Sequence, residues 1–260
     1  MRAPDIEKLD LTQQFPIQSQ TSARDKAFIL GALEMVRESH MPFAYLEIGS
    51  FLGGSLAPFL TSADCASVLS IDDRERQQPD ERGAKFDYAG ITTQSMLDNL
   101  RQHGLPTSKL ETHDGSIDSL PPPSRKYDLA FIDGEHTDEA CFRDFLWALP
   151  LMSADGVVMF HDSSLVYRAL KLIRIHLRNA GRAHLFFKRR QSQMSAVLLG
   201  NPDVAKVESY LGPAEDIGEF FARAESDLLK TQVRRRVRLG FDRKTIIGLK
   251  VNPPKVHKAY

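Results

Sequence analysis

The feature that most constrains the fold of this 260-residue chain is the alternation of short apolar segments with amphipathic helical ones. Such alternation is typical of parallel strands with helices on both faces of one sheet. The last two apolar segments have no helix between them, so we expect an antiparallel hairpin at one edge. The sequence therefore predicts an α/β fold, a doubly wound, seven-stranded and mostly parallel sheet. The strands are predicted at residues 43–48, 67–71, 109–113, 127–132, 156–160, 185–187 and 196–199.

The chain divides into three predicted regions. Residues 1–21 show no clear period and are expected to form an arm or lid, whereas residues 22–200 contain the predicted sheet. Residues 201–260 are predicted to be a helical segment followed by a basic tail. Ser22 and Asp25 have the spacing of a capping box, which predicts that the first long helix begins there.

Charge and hydropathy limit where the protein can act. The 34 basic and 34 acidic side chains balance, and no apolar run approaches the ~20 residues that cross a bilayer. The N-terminus lacks the basic and then apolar layout of a secretory signal. Only two cysteines are present, which suits a reducing compartment. We therefore expect a cytoplasmic protein without a membrane span.

The C-terminal segment departs from this charge balance. Residues 230–260 contain ten Lys and Arg side chains against one acidic residue, Asp242. Such a segment can bind nucleic acid, an acidic lipid surface or an acidic substrate. It can equally be a solvated surface or contact an acidic patch on a second copy of the chain. Nucleic-acid binding and a homo-oligomer are therefore open alternatives.

A glycine-rich turn follows the first predicted strand. Gly49 and Gly53 permit positive φ angles and a close approach of a ligand to the backbone, and the next helix offers free N–H groups. Glu47 can pair with an ammonium group of a ligand. Ser50 and Ser55 lie in the same turn and are assigned to the same predicted ligand site. The turn lacks the G-x-G-x-x-G spacing of dinucleotide sites, which disfavours an NAD-dependent dehydrogenase.

Polar residues at the ends of the second and third strands predict a nucleoside site. Asp72 follows the glycine turn by about 20 residues, where an acid can hold both hydroxyls of a ribose. Asp114 and Ser116 follow the next strand and could read the edge of an adenine. Asp72 and Asp114 can alternatively hold loop turns by capping. Combined with the glycine turn, the set favours a nucleoside ligand.

Two clusters of acids and histidines end the fourth and fifth strands. Asp133 and His136 follow one strand, and His161 and Asp162 follow the other. Carboxylates at neighbouring strand ends can converge on a hard cation such as Mg²⁺, whereas a histidine ligand favours a transition metal. His136 can act as a general base because its ordinary pKa is near ~6.5. Alternatively, Asp133 and Asp162 cap the following helices and His136 is a polar residue at the rim.

The stretch from residue 43 to residue 162 resembles the class I S-adenosylmethionine-dependent methyltransferases, most of all their metal-dependent small-molecule O-methyltransferases. Leu-Glu-Ile-Gly-Ser at 46–50 and Ile-Asp-Gly-x-His at 132–136 carry the resemblance. His136 is similar to the histidine base of the macrolide sugar O-methyltransferases, whereas catechol-type enzymes have a lysine there. At His161 the sequence departs from the family, which has an acid at that position. The metal ligands that the resemblance implies are Asp133, His161 and Asp162.

The resemblance also implies how the cofactor lies. Glu47, Gly49 and Gly53 would surround the methionine part of S-adenosylmethionine. Asp72 would hold the ribose, and Ser116 would lie beside the adenine. The pocket for the methyl acceptor would be built by the parts of the chain without a recognisable motif, so the resemblance does not name the acceptor.

The sequence thus predicts methyl transfer from S-adenosylmethionine to a hydroxyl of a small molecule, a sugar or a natural product. Asp133 and His136 are the predicted catalytic residues, and a divalent metal, a histidine base or both would assist. One alternative is a nucleic-acid methyltransferase that uses the basic tail, although the Asn/Asp-Pro-Pro-aromatic motif of amino-group methylation is missing after the fourth strand. Another is a nucleoside-binding module without transferase activity.

Overall fold

The computed structural model of the chain describes residues 1–121, 123–245 and 257–258. The remainder of the predicted basic tail lies outside the described residues. The strands are β1 (Phe43–Ile48), β2 (Cys65–Asp72), β3 (Gln77–Pro79), β4 (Lys85–Asp87), β5 (Leu110–Asp114), β6 (Tyr127–Ile132), β7 (Met152–Phe160), β8 (His184–Lys188), β9 (Ser195–Leu199) and β10 (His257–Lys258). The α-helices are α1 (Ala3–Ile6), α2 (Ala23–Ser39), α3 (Ala57–Thr61), α4 (Thr93–Gln102), α5 (Asp138–Ala148), α6 (Tyr167–Asn179), α7 (Val204–Leu211) and α8 (Ile217–Thr245).

Seven strands form the central sheet in the order β5-β2-β1-β6-β7-β9-β8. β1 runs parallel to both β2 and β6, and β6 runs parallel to β7. β9 lies antiparallel to β7 and to β8. The predicted doubly wound, mostly parallel sheet with its antiparallel edge hairpin is therefore confirmed. The strand order reverses between β1 and β6, and ligands collect at such a switch point in open α/β sheets.

Two apolar layers cover the two faces of the sheet. Phe28 of α2 lies in the layer that also contains α3, α4 and α7. Phe145 of α5 and Phe220 of α8 lie in the opposite layer, which α6 completes. All six residues of β1 are buried. Because both faces are covered, the central strands are mostly apolar and show no alternation of apolar and polar residues.

The first long helix begins where the capping pattern predicts. The Ser22 hydroxyl oxygen accepts the backbone N–H of Asp25 at 3.3 Å, so Ser22 is the N-cap of α2. Phe15 and Ile17, from the predicted arm, are buried in the layer that contains α2. The arm thus packs along the sheet domain and brings residues 18–21 to the carboxyl ends of the strands.

A small second sheet was not predicted. β3 and β4 form an antiparallel hairpin, and β10 pairs with β4. β3 and β4 have only three residues each and are largely polar, so neither shows an apolar period. The hairpin is attached to the end of β6, because the Glu81 backbone N–H donates to the His136 carbonyl at 3.1 Å. This contact places the hairpin beside the predicted catalytic residues.

The C-terminal region adds α7 and α8. Tyr210 of α7 packs with the α2 layer, and Leu228 of α8 packs with the α5 layer. In the described part of the chain, no helix has a stretch long and apolar enough to cross a membrane. The cytoplasmic location and the homo-oligomer stay predictions.

Candidate functional site

A cavity of about 350 Å³ opens at the carboxyl ends of β1, β6 and β7. Four parts of the chain line it: the arm, the turn after β1, the β3–β4 hairpin, and the segments that follow β6 and β7. The lining residues are Gln18, Ser19, Gln20, Thr21, Gly49, Ser50, Phe51, Gly54, Ser55, Arg82, Phe86, Tyr88, Asp133, His136, His161 and Asp162. The structure thus brings the predicted glycine turn and all four members of the acid and histidine clusters to one cavity.

The glycine turn is held against the end of β6. Gly49 has a φ angle of +93°, and the Asp133 backbone N–H donates to the Ile48 carbonyl at 2.8 Å. A Cβ atom at Gly49 would stand 2.1 Å from the Asp133 carbonyl oxygen. Only glycine therefore fits at this position. Gly53, with φ at +84°, packs against Leu100 of α4 and not against the cavity.

Glu47 lies beneath the turn and does not reach the cavity. Its carboxylate is fully buried and accepts the hydroxyl groups of Tyr45 and Ser55, each at 2.5 Å. Burial raises the pKa of Glu47 to about 8, although both hydrogen bonds oppose the shift. Ser55 lines the cavity, so its hydroxyl connects the buried Glu47 carboxylate to the cavity wall. Ser50, also predicted, lines the cavity and accepts the Ser70 hydroxyl at 2.7 Å.

Asp72 stands at the end of β2 and supports the glycine turn. Its Oδ2 accepts the Phe51 N–H at 2.6 Å and lies 3.6 Å from an Arg74 guanidinium nitrogen. Burial raises the pKa of Asp72, while Arg74 and the Phe51 N–H act in the opposite direction. Asp72 also lines a narrow space next to the main cavity, together with Tyr88. It is therefore accessible from the side where a ribose is predicted.

The predicted adenine end is a second narrow space. Ser116 lines it together with Asp144 and Arg143 of α5. Asp114 pairs in register with Asp72 at the sheet edge but does not line this space. The Asp144 carboxylate is buried, which raises its pKa to about 6 although Arg143 opposes the shift. Sequence reasoning missed Asp144 because a single acid in an amphipathic helix is usually a surface residue.

Five side chains form what we call the His–Asp cluster: Asp25, Asp133, His136, His161 and Asp162. His136 stands between two carboxylates, with Nε2 3.6 Å from Asp133 Oδ1 and Nδ1 3.5 Å from Asp162 Oδ2. His161 contacts three carboxylates: its Nδ1 lies 3.1 Å from Asp133 Oδ1 and 3.8 Å from Asp162 Oδ2, and its Nε2 lies 3.7 Å from Asp25 Oδ2. Asp133 is thus shared by both imidazoles.

The histidines and carboxylates of the cluster shift one another's pKa values. Burial lowers the pKa of His161, but Asp133 and Asp25 outweigh this and hold it well above its usual range. The pKa of His136 is likewise raised, because Asp133 and Asp162 outweigh burial. Burial raises the pKa of Asp133, yet the two imidazoles bring it down to about 2. Asp162 has a φ angle of +45°, and such strain in a residue other than glycine concentrates at functional sites.

The structure brings the predicted metal ligands Asp133, His161 and Asp162 together at the cavity. Among the described residues, no three His, Cys, Asp or Glu side chains are arranged to hold a metal ion. His161 Nδ1 faces Asp133 Oδ1 at 3.1 Å as an ion pair. A neutral histidine that binds a metal through one ring nitrogen commonly donates its other N–H to a carboxylate, and His161 Nε2 faces the buried Asp25 at 3.7 Å. The metal that the resemblance implies stays a prediction.

Three further residues of the site were missed. The Phe86 ring meets the His136 ring edge-on at 6.1 Å, and the Tyr88 ring meets Phe51 at 5.7 Å. Phe86 and Tyr88 come from the unpredicted hairpin and its continuation, so no period identified them. Asp25 was recognised only as a capping partner, and its contact with His161 depends on the packing of α2 against β7.

Comparisons with known proteins identify a methyltransferase domain and structures of similar fold. Residues 46–163 match the family model for a methyltransferase domain. The chain matches no curated protein in sequence. A solved structure of the O-methyltransferase NovP is similar, with a TM-score of 0.55 and 12% identity over 70% of this chain and 84% of that one. The O-methyltransferase TomG from Streptomyces achromogenes, which takes part in tomaymycin synthesis, has a TM-score of 0.46 and 15% identity over 76% and 89%.

The family match covers both motifs on which the resemblance depends, the glycine turn after β1 and the acid and histidine after β6. At 12% identity, the likeness to NovP shows the fold alone. The family match confirms the methyltransferase domain that the resemblance implied, over residues 46–163.

Proposed function

We propose that this chain, which carries a class I methyltransferase domain at residues 46–163, moves a methyl group from S-adenosylmethionine to a hydroxyl of a small molecule. One observation carries the proposal: His136 and the glycine turn line the same cavity of about 350 Å³. A group able to take a proton is thereby placed next to the turn where the methyl donor is expected. NovP, which shares the fold, is named as an O-methyltransferase, and an oxygen acceptor agrees with it.

The residues present fit the proposed cofactor. Gly49 lets the turn lie directly against the end of β6 and lines the cavity, where the methionine part would lie. Asp72 would hold the ribose hydroxyls, and Ser116 with Asp144 would surround the adenine. TomG was solved in complex with S-adenosylmethionine. When bound, the cofactor supplies a sulfonium methyl group, which the acceptor oxygen takes up as the carbon–sulfur bond breaks.

His136 would take the hydroxyl proton of the acceptor. The Asp133 and Asp162 carboxylates on its two sides stabilise the imidazolium that forms. Positioned general bases contribute roughly 10²–10⁴-fold to a rate. Phe86 and Arg82 line the same part of the cavity and would contact the acceptor. Of the two predicted kinds of assistance, the arrangement favours the histidine base.

The first test is calorimetry with S-adenosylhomocysteine. We expect one site per chain, weakened roughly 10–150-fold by Asp72→Asn, because a hydrogen bond to a charged group is worth ~1.5–3 kcal/mol. Asp98→Asn, on the exposed surface of α4, is the matched control and should bind as the wild type does. No binding to the folded wild-type protein would contradict the proposal.

The second test is methyl transfer to a panel of phenols, sugars and other small hydroxyl compounds. His136→Gln should reduce transfer roughly 10²–10⁴-fold and leave S-adenosylhomocysteine binding intact. Salt-sensitive transfer to RNA, with none to any small hydroxyl, would favour the nucleic-acid methyltransferase instead. Binding without transfer to any acceptor would favour the silent nucleoside-binding module.

A further inference from the structure

The β3–β4 hairpin supplies one wall of the cavity and brings Arg82 and Phe86 into it. We propose that the methyl acceptor is a hydroxylated ring compound with an acidic group, a carboxylate or a phosphate, and that Arg82 binds this group. Arg82 is then a specificity-determining residue. That the bound compound is the acceptor rests on the proposed function, whereas the binding of an acidic compound at Arg82 does not.

Arg82 gives the cavity a permanent positive charge. Among the described residues that line the cavity, it is the only Lys or Arg. A guanidinium group stays charged at all ordinary pH values, and its planar fork of N–H donors matches the oxygens of a carboxylate or a phosphate. An acidic group is therefore the ligand chemistry that this wall of the cavity suits best.

The hairpin holds one part of the guanidinium and leaves the other part available. Arg82 Nε donates to Asp80 Oδ2 at 2.7 Å. The Asp80 carboxylate is buried, and its Oδ1 accepts the Ala84 N–H at 2.8 Å, so it cannot turn away from the hairpin. In the part of the chain that the structure describes, the two Nη groups of Arg82 have no hydrogen-bond partner. Asp80 thus orients the fork, and the Nη groups can bind a ligand.

The Phe86 ring lies beside both Arg82 and the predicted base. The Arg82 guanidinium carbon is 5.9 Å from the centroid of this ring, and the His136 ring centroid is 6.1 Å from the same point. All three side chains line one cavity. A ring compound packed against Phe86 can therefore place its acidic group at Arg82 and a hydroxyl at His136. Arg82 would in this way select which hydroxyl meets the base.

The hairpin is fixed next to the base before any ligand binds. Glu81, the neighbour of Arg82 in the chain, donates its backbone N–H to the His136 carbonyl at 3.1 Å. Its Oε1 accepts the Asp138 N–H at 2.8 Å, and its carbonyl accepts the Gln232 side chain at 2.8 Å. These hydrogen bonds tie the hairpin to the segment after β6 and to α8. A wall held in this way loses little conformational freedom when a ligand binds, which favours affinity.

The first test compares acids with neutral partners of the same shape. We would titrate 4-hydroxybenzoate and 4-hydroxybenzamide, glucuronate and glucuronamide, and glucose 6-phosphate and glucose into the full-length protein, with and without S-adenosylhomocysteine, and follow binding by NMR. In at least one pair the acid should bind roughly 10–150-fold more tightly, as expected for hydrogen bonds to a charged group. The three pairs distinguish a carboxylate from a phosphate and a phenol from a sugar. Equal affinity within every pair, absence of binding included, would overturn the proposal.

Variants of the hairpin test whether Arg82 causes the preference. Arg82→Gln should lower the affinity for the acid to that for its neutral partner, and Arg82→Lys, which keeps the charge but not the fork, should retain part of the preference. Lys85→Gln is the matched control, because it removes a positive charge from an exposed side chain of the same hairpin that does not line the cavity. It should keep the wild-type preference. A preference that survives in Arg82→Gln, or that Lys85→Gln reduces equally, would refute the role of Arg82.

Kinetics and cofactor binding separate this inference from the proposed function. For an acid that is methylated, Arg82→Gln should raise KM and leave kcat nearly unchanged, because Arg82 binds the acceptor away from the reacting oxygen. If S-adenosylhomocysteine binds but no acid is preferred, this inference fails and the methyltransferase proposal stands. If acids bind through Arg82 but S-adenosylhomocysteine does not bind, the methyltransferase proposal fails and the acid site stands.

Discussion

Replacing Gly49 by alanine should lower the stability of the fold and at the same time displace the predicted catalytic residue Asp133. The φ angle of Gly49 is +93°, a conformation that residues with a Cβ rarely adopt. The added Cβ would stand 2.1 Å from the Asp133 carbonyl oxygen, 2.3 Å from its carbon and 2.5 Å from the Gly134 nitrogen. All three atoms are backbone, so no side chain can move aside. Either the turn or the end of β6 must shift.

The cost has two parts. The left-handed conformation costs a residue with a Cβ ~1–2 kcal/mol. Forcing a carbon into a packed position costs a further ~1–3 kcal/mol. Gly49→Ala should therefore lower the free energy of unfolding by about 2–5 kcal/mol. A shift of Asp133 by ~1 Å would also reduce methyl transfer by about 10²-fold.

Gly90→Ala is the matched control. Gly90 has a similar φ angle of +81°, but a Cβ there would meet nothing within 4 Å. Urea unfolding should therefore give only the conformational cost of ~1–2 kcal/mol for this variant, and its binding of S-adenosylhomocysteine should be unchanged. If Gly49→Ala and Gly90→Ala unfold at the same urea concentration and bind equally, the close approach of the turn to Asp133 has no energetic importance.

Two further predictions concern pH. Asp133 and Asp162 outweigh burial and raise the pKa of His136. Because a general base must be neutral, kcat should rise with pH through a midpoint above ~6.5. A midpoint below that value would contradict the role of His136 as the base. Burial raises the pKa of Glu47 from its ordinary 4.5 to about 8, so its contribution to stability is present below the ordinary value and is lost as pH rises through about 8. Urea unfolding between pH 5 and 8.5 should therefore show a steeper loss of stability in the wild type than in Glu47→Gln, and equal slopes would show that Glu47 is ionised in the folded protein.

The fold could be predicted from the sequence wherever a buried segment has a recognisable pattern of apolar residues. β1 and β6 are buried on both faces, and each is mostly apolar, with one acidic residue in six, and bounded by turn residues. The β3–β4 hairpin has no such run. Its register depends on contacts with other parts of the chain, including the hydrogen bond from the Gln232 side chain to the Glu81 carbonyl. Contacts over 151 positions of sequence leave no local pattern.

The candidate site could likewise be predicted only in part. Gly49, Asp133 and His136 could be predicted because the carboxyl ends of neighbouring parallel strands meet at one edge of a sheet. The protonation and the hydrogen-bond partners of each group could not be predicted, because they depend on the residues that pack around it. Glu47 was expected to meet a ligand ammonium, yet Tyr45 and Ser55 enclose it below the turn.

Asp25 shows most clearly why the local sequence does not predict every contact of a residue. Its spacing from Ser22 predicts a helix cap, and the cap exists: the Asp25 N–H reaches Ser22 at 3.3 Å. That hydrogen bond uses only the backbone of Asp25, whose carboxylate accepts the Ser22 and Ser192 hydroxyl groups and the Gln193 N–H. The same carboxylate lies 3.7 Å from His161 Nε2. The contacts with Ser192, Gln193 and His161 join segments that are far apart in the sequence, so the spacing of Ser22 and Asp25 could predict the cap but not the place of the carboxylate in the site.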